Sequence, residues 1–238
     1  AGNMNGQRSR IYTNNRTANP FNGVAGRDLT TSPYSTFAVA LADVNGDTNL
    51  DLIMGNGSGG TAKSLLLLNN GSADPFSGVT PIIINTNSQD TRAVAVADVN
   101  GDNRPDVILG NFNDRVRLYT NNGTANPYTN VASTDISTDT GPNRALVVGD
   151  VNGDGKRDVI VGRNGHTIRL YLNNGTVNPF NGVTGSDISS DTNATTSLAL
   201  GDVNGDGKLD LIAGNENQRN RVYLNNGTIN PFNGVTGL

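Results

Sequence analysis

The sequence predicts an all-β protein, and specifically a β-propeller built from four-stranded blades. Two motifs recur along the chain with a period of about 50 residues, the length of one propeller blade. The segments between the motifs are short, apolar and rich in β-branched residues, as strands are. Glycine makes up 30 of the 238 residues, and asparagine is also abundant. Both residues favour the tight turns that join short strands.

The first motif reads Asn-Asn-Gly-Thr-x-Asn-Pro and ends in an aromatic residue, with small variations. Its copies begin at Asn14, Asn69, Asn121, Asn173 and Asn225. The second motif is an aspartate-rich loop of nine residues, at 43–51, 98–106, 150–158 and 202–210. We name these loop one to loop four. Both motifs are spaced by 55 residues once and by 52 thereafter, so they belong to one repeating unit.

One unit shows how a blade is expected to form. Residues 92–97 are small and apolar, as suits an innermost strand that is covered on both faces. After loop two, residues 106–110 form a second apolar strand, and the alternating segment 115–120 forms a third, half-exposed strand. An Asn-Asn-Gly turn follows, and residues 135–138 form a weak outer strand. The aspartate loop therefore joins the first and second strands.

The chain does not contain a whole number of repeats. It begins at a third strand and ends just after one, so about four and a half units are visible. We assign a half-blade to 1–35 and repeats to about 36–90, 91–142, 143–194 and 195–238, all in one propeller domain. An open blade would expose an apolar face and an unpaired strand edge. Closure could use residues 27–30 as the outer strand of the last blade, or could pair half-blades of two chains in a homo-oligomer. A third alternative is that the chain is part of a longer array.

Each aspartate loop places side-chain oxygens at positions 1, 3, 5 and 9. Three carboxylates and one amide in so short a loop repel one another unless a hard cation lies among them. Ca²⁺ takes six to eight oxygen ligands in a flexible arrangement, which such a loop can supply. Three aspartates in each of four loops account for 12 of the 21 acidic residues, so the rest of the chain, with 17 basic residues, carries +8. Four bound Ca²⁺ would change the net charge from -4 to +4.

The residues resemble a known family. Asp-Val-Asn-Gly-Asp-Gly-Lys-x-Asp-(Leu/Val)-Ile-x-Gly, followed by Arg-x-Tyr-Leu-Asn-Asn-Gly-Thr, is similar to the VCBS/FG-GAP repeat. That repeat builds the calcium-binding propellers of integrin α heads, secreted bacterial repeat proteins and fungal propeller lectins. The resemblance covers nearly the whole chain. It implies one structural Ca²⁺ per loop, about four in all, held by the side chains of positions 1, 3, 5 and 9 and by the backbone carbonyl of position 7.

The implied metal-site residues are five from each loop. They are Asp43, Asn45, Asp47, Asn49 and Asp51; Asp98, Asn100, Asp102, Arg104 and Asp106; Asp150, Asn152, Asp154, Lys156 and Asp158; and Asp202, Asn204, Asp206, Lys208 and Asp210. An EF-hand is the competing interpretation of this spacing. It requires flanking helices and a glutamate at position 12, where Met54, Leu109, Val161 and Ala213 stand. We therefore reject the EF-hand.

A second periodic set lies two residues apart on one face of the third strands. Its members are Arg10 and Tyr12, Arg117 and Tyr119, Arg169 and Tyr171, and Arg221 and Tyr223; the second unit has Leu65 and Leu67 instead. In the simpler interpretation, tyrosine packs between blades and the arginine stem covers it. In the other, the pairs line a ring of equivalent pockets, in which arginine hydrogen-bonds a polar ligand and tyrosine gives an apolar platform.

The sequence contains no catalytic constellation. It has no cysteine, which excludes disulfides, zinc fingers and thiol catalysis, and its one histidine, His166, has no counterpart in the other units. We therefore expect a non-enzymatic, Ca²⁺-binding module that binds carbohydrate multivalently in the manner of a lectin. The alternatives are a protein-interaction or adhesion scaffold and a purely structural repeat module. The absence of tryptophan counts against a carbohydrate site.

The expected partners are glycans or a cell-surface protein, with no nucleic acid and no membrane insertion. No apolar run approaches the roughly 20 residues that cross a bilayer. The protein is expected to be secreted and bacterial, without a signal peptide in this chain. Asn15, Asn70, Asn122, Asn174 and Asn226 head Asn-x-Ser/Thr sequons, which only a eukaryotic secretory pathway would glycosylate.

Overall fold

The computed structural model describes residues 7–31, 34–57, 62–84 and 89–238. Every regular element within these ranges is a β-strand, and no helix there could cross a membrane. The chain is an all-β propeller, as predicted. The described residues contain seventeen strands, and consecutive strands pair in antiparallel fashion within each repeated blade.

The strands group into a half-blade and four blades. The half-blade contains β1 (Arg10–Ile11) and β2 (Arg27–Asp28). Blade one contains β3 (Ser35–Ala42), β4 (Asp51–Gly57), β5 (Leu65–Leu67) and β6 (Ile82–Ile83). Blade two contains β7 (Thr91–Ala97), β8 (Asp106–Asp114), β9 (Val116–Tyr119) and β10 (Thr134–Asp135). Blade three contains β11 (Gly141–Gly149), β12 (Asp158–Arg163), β13 (Arg169–Tyr171) and β14 (Ser186–Asp187). Blade four contains β15 (Thr195–Gly201), β16 (Asp210–Asn215) and β17 (Arg221–Tyr223).

The strand register repeats from blade to blade. In blade two, Val94 lies opposite Leu109, and the register shifts between Thr91 and Ala93. A register shift occurs near the start of the first strand in each of the four blades. The outer strands are only two residues long, in agreement with the weak signal at 135–138. The exact domain boundaries proposed above stay a prediction.

The segment at 27–30 does not serve as an outer strand of blade four. Its first two residues form β2, which pairs with β1 so that Arg10 lies opposite Asp28. At the other end of the structure, Leu238 exchanges two backbone hydrogen bonds with Val222 and lies beside β17. Of the closures considered from the sequence, the structure therefore does not adopt the strand exchange within one chain.

The core lies between blades, because side chains of the second strands alternate between the two faces. In blade two, Val107 and Leu109 pack against blade one, whereas Ile108 packs against blade three. The outer faces of the stack carry the equivalent apolar residues without such cover. Val39 and Leu41 of blade one are 50% and 59% exposed, and Val203 of blade four is 51% exposed. These two faces have the same chemistry as the buried interfaces between blades.

A buried polar chain crosses the blade interfaces at the end of the blades opposite the aspartate loops. Ser64 of blade one donates a hydrogen bond to the hydroxyl of Thr91 in blade two, which donates in turn to Asn111 Oδ1. Asn111 Nδ2 completes the chain by donating to the carbonyl of Arg115. Ser9, Thr36 and Asn56 form the same chain between the half-blade and blade one. The half-blade, blade one and blade two are therefore joined by directional bonds as well as by packing.

Candidate metal-binding loops and inter-blade grooves

All four aspartate loops join the first and second strands of their blades, and position 1 organises each of them. In loop two, Asp98 Oδ1 accepts the N–H groups of Gly101 and Asp102, at 2.7 and 3.2 Å. Asp98 Oδ2 accepts the N–H of Asn103 at 2.8 Å. Asp43, Asp150 and Asp202 make the same three bonds in their own loops. The N–H of Gly207, with smaller contributions from Gly205 and Asp206, holds the pKa of Asp202 below its usual range.

Positions 3 and 5 complete a ring of oxygens. Asn100 Oδ1 accepts the N–H of Asp102 at 3.0 Å, and Asn100 Nδ2 donates to Asp102 Oδ2 at 3.1 Å. Asp102 Oδ1 accepts the N–H of Arg104 at 2.9 Å. The loop is therefore shaped by its own backbone donors before any ion enters.

Position 7 has a role that the sequence did not reveal. Its side chain forms an ion pair with the aspartate at position 5 in three loops. The pairs are Arg104–Asp102 at 2.7 Å, Lys156–Asp154 at 3.1 Å and Lys208–Asp206 at 2.9 Å. The hydrogen bond from Lys208 is the largest influence that lowers the pKa of Asp206. A residue expected to contribute only its carbonyl thus also neutralises part of the loop charge.

Position 9 is buried and braces the loop. Asp106 is fully buried, and its Oδ2 accepts the N–H of Val99 at 3.1 Å while its Oδ1 accepts the N–H of Asn121 at 2.9 Å. Among the described residues, no lysine or arginine forms an ion pair with any of the four position-9 aspartates. Burial, reinforced by the like charges of Asp102 and Asp98, raises the pKa of Asp106 to about 6. Asp158 is affected in the same way and to the same value.

These loops fit a hard cation by their chemistry. Every side-chain donor is a carboxylate or amide oxygen, and an ionised carboxylate has about four lone-pair sites, so the existing bonds leave capacity for an ion. The buried charge at position 9 needs compensation that the described side chains do not provide. Within the described ranges, no group of three or more His, Cys, Asp or Glu side chains has the arrangement of a metal site. The position-9 oxygens face backbone N–H groups, so the calcium assignment stays a prediction.

The members of the arginine–tyrosine set do not share one environment in the structure. Tyr119, Tyr171 and Tyr223 are buried between blades, whereas Tyr12 is 45% exposed. The arginines pair with acidic residues near the outer strands. The contacts are Arg10–Asp28 at 2.8 Å, Arg117–Asp135 at 3.1 Å, Arg169–Asp187 at 2.9 Å and Arg221–Asp191 at 3.7 Å. The packing interpretation therefore describes three of the four tyrosines.

Grooves nevertheless form where the outer strand of one blade meets the third strand of the next. The groove between blades two and three has a volume of about 320 Å³ and is lined by Asp135, Asp139, Arg169, Tyr171 and Phe180, among others. The corresponding groove between the half-blade and blade one is larger, about 610 Å³, and its lining has Leu65 where that of blade three has Arg169. His166 lies exposed in a bend and belongs to neither groove.

Comparison with known proteins identifies the repeat. Residues 50–109, 98–161 and 150–213 match the FG-GAP-like repeat family. No curated protein matches the chain. A crystal structure of the V. cholerae biofilm matrix protein Bap1 is similar at 18% identity and a TM-score of 0.48, over 94% of this chain and 32% of that one. BBS1N, in a complex with ARL6DN, is similar at 12% identity and a TM-score of 0.48, over 80% of this chain and 53% of that one.

The chain thus spans about a third of the length of Bap1 and about half of BBS1N. The family match covers three consecutive units, and each matched segment runs from one aspartate loop into the next. The strand–loop–strand geometry described above is the same in all of them. The chain belongs to the FG-GAP-like repeat family and forms a β-propeller repeat module.

Proposed function

We propose that this chain is a non-enzymatic, Ca²⁺-stabilised propeller module that binds carbohydrate through several equivalent weak sites. The calcium part rests on the buried carboxylate at position 9 of each aspartate loop, which accepts backbone N–H groups but forms no ion pair among the described residues. Such a charge is costly in a protein interior unless a counter-ion compensates it. Ca²⁺ would be held by positions 1, 3, 5 and 9 and by the carbonyl of position 7, with a structural role.

The inter-blade grooves support the ligand part of the proposal. Each combines charged hydrogen-bonding groups with an aromatic wall, such as Arg169 beside Phe180. That combination suits a polyhydroxylated ligand, which presents both hydroxyl groups and an apolar face. Because the grooves recur on one rigid body, several weak contacts would add avidity. An extracellular location agrees with this, since extracellular modules use weak calcium sites.

Calcium titration by calorimetry, together with thermal melting, tests the metal part. Binding only to the folded state must raise the melting temperature by mass action. We expect Asp150→Asn to lower the number of bound ions by one, whereas Asp187→Asn, an acidic residue outside the loops, leaves it unchanged. A melting temperature that neither millimolar Ca²⁺ nor chelator alters would refute calcium binding.

A glycan array, run with Ca²⁺ and with chelator, tests the ligand part separately. We expect binding to a subset of glycans that is lost in chelator. Absence of binding at high protein concentration, with a normal calcium response, would overturn the carbohydrate proposal alone. An adhesion scaffold that binds protein, or a purely structural module, would then remain.

A further inference from the structure

Asn-Gly pairs recur throughout this chain, and they are the sequence most prone to spontaneous deamidation. The main-chain nitrogen of the glycine attacks the Cγ of the asparagine side chain, and ammonia leaves as a succinimide ring forms. Water then opens the ring to aspartate or isoaspartate. Glycine permits the reaction because it has no Cβ to hinder the approach. A folded structure slows it wherever the amide or the glycine N–H is held by hydrogen bonds.

The Asn-Gly pairs of the aspartate loops are held in this way. In loop two, Gly101 N–H donates to Asp98 Oδ1 at 2.7 Å. The side chain of Asn100 is fixed at both ends by Asp102. The nucleophile and the target carbon therefore cannot approach each other unless several hydrogen bonds break.

The Asn-Gly pairs of the Asn-Asn-Gly turns are held as firmly. Gly175 N–H donates to Asn173 Oδ1 at 2.8 Å, and Asn174 Oδ1 accepts the N–H of Thr176 at 2.9 Å. Asn174 Nδ2 donates to the carbonyls of Asn178 and Asn181, at 3.3 and 3.1 Å. The turns at Asn70 and Asn226 have the same bonds. These bonds also give the sequon asparagines a structural role that is independent of glycosylation.

Five other Asn-Gly pairs lie in the described residues, and two of them are also held. Asn56 is buried with its side chain hydrogen-bonded, and the N–H of Gly165 donates to Asn193 O at 3.0 Å. The remaining three differ, and they occupy one position of the repeat. They are Asn22-Gly23, Asn181-Gly182 and Asn233-Gly234, each directly after a phenylalanine. In each turn the asparagine main-chain N–H is bonded, as in Asn181 to Asn178 O at 3.0 Å. The asparagine side chains are exposed, and among the described residues neither their amides nor the following glycine N–H groups make a hydrogen bond.

Space around these glycines is also open. A Cβ placed on Gly23, Gly182 or Gly234 would meet no atom within 4 Å outside the adjacent residues, so no other part of the fold crowds these glycines. The glycines of the aspartate loops are equally open, which leaves hydrogen bonding as the difference. We propose that, of the Asn-Gly pairs that the structure describes, those at Asn22, Asn181 and Asn233 are the ones that deamidate in the folded protein, and that the Asn-Gly pairs of both repeated motifs are protected.

The modification would act on the grooves described above. Asn181 and Gly182 line the groove between blades two and three. Asn233 lines the equivalent groove between blades three and four. Aspartate at 181 adds a negative charge there. Isoaspartate also lengthens the backbone by one carbon and displaces the carbonyl that accepts Asn174 Nδ2. Blades one and two lack the site, because Ser77 and Thr129 occupy the equivalent position.

The test is peptide mapping by mass spectrometry after incubation of the folded protein in H₂¹⁸O at mildly alkaline pH. The label marks each carboxyl that forms from a succinimide. We expect conversion at Asn22, Asn181 and Asn233 to exceed that at Asn100 and Asn174 by roughly tenfold or more, since the latter must first break two or more hydrogen bonds. In urea all these pairs should convert at similar rates, because the structure that separates them is gone.

Two outcomes overturn the proposal. One is equal conversion of Asn100 or Asn174 and Asn181 in the folded protein. The other is the same ranking of sites in urea, which would assign the difference to local sequence. Asn181→Ser, which copies the residue of blade one, is the matched control and should abolish labelling at 181 without changing the other two sites. The outcome does not depend on calcium or glycan binding, so it is separate from the proposed function.

Discussion

Asn121 of blade two donates its side-chain N–H to the carbonyl of Val44 in blade one, at 2.8 Å and across 77 positions of the chain. Val44 is position 2 of loop one, so the turn of one blade holds the aspartate loop of the blade before it. The same amide donates to Pro105 O of loop two, the aspartate loop of its own blade, at 3.1 Å. Asn173 and Asn225 repeat both bonds in blades three and four. Each such asparagine therefore couples two neighbouring loops.

Loss of this coupling should lower the free energy of unfolding more than an ordinary surface substitution does. We expect Asn173→Ala to lower the free energy of unfolding by about 1–3 kcal/mol, because a buried bond to Val99 O and a partly buried bond to Arg157 O lose their donor. Asn69→Ala is the matched control, since among the described residues Asn69 Nδ2 donates only to Leu50 O of its own loop. Urea denaturation measures both variants. Equal losses of unfolding free energy in the two variants would show that the hydrogen bond between blades adds nothing to stability.

The calcium-free protein should become more stable as the pH falls through 6. Burial, reinforced by nearby carboxylates, raises the pKa of Asp106 and Asp158 to about 6, above the ordinary 3.8. The folded state thus binds these protons more tightly than the unfolded state. The contribution of these two carboxyl groups to stability is fully present below their ordinary pKa. It is lost as the pH rises through their pKa in the folded state.

Melting in chelator between about pH 7 and about pH 5 checks this expectation. We expect the melting temperature to be higher at the lower pH in chelator, and the difference to shrink in saturating Ca²⁺, which favours the ionised form. Asp106→Asn should reduce the pH effect, whereas Asp135→Asn should not, because Arg115 and Arg117 hold the pKa of Asp135 below its ordinary value despite the opposing effect of burial. A calcium-free melting temperature that is flat over this range would contradict the prediction.

The strands and loops were predictable because two independent motifs repeat in fixed phase, and the apolar alternation between them sets the faces. The bond from Asn121 to Val44 was not, since it joins distant residues and asparagine already has a local reason to occupy a turn. The pairing of Arg104 with Asp102 was hidden because position 7 varies between asparagine, arginine and lysine. Packing of Tyr171 between blades was the simpler of two interpretations of the sequence, and the choice needed the structure because burial depends on how closely blades pack.

Loop one contains local backbone strain that loops three and four avoid. Thr48, at position 6, has φ of 71°, where Gly155 and Gly207 have φ of 82° and 81°. A β-branched residue is unfavourable in this left-handed region, whereas asparagine is tolerated. We expect Thr48→Gly to raise the free energy of unfolding by about 0.5–1 kcal/mol. Asn103→Gly, at the same position of loop two, is the control and should have a smaller effect. A loss of stability in Thr48→Gly, measured by urea denaturation, would refute strain at this position.

The tyrosines offer a way to separate packing from ligand binding. Tyr171 is 2% exposed, and we expect Tyr171→Ala to cost about 3–5 kcal/mol of unfolding free energy through the cavity that it leaves. Tyr12→Ala should cost less than about 1 kcal/mol, since its ring is 45% exposed beside Arg10. Thermal melting measures these costs. Tyr12→Ala is therefore the variant in which a loss of glycan binding can be assigned to the pocket that Tyr12 lines together with Arg10 and Asp28. Full glycan binding in Tyr12→Ala, with binding lost in Tyr171→Ala only as the fold is lost, would make the tyrosines structural throughout.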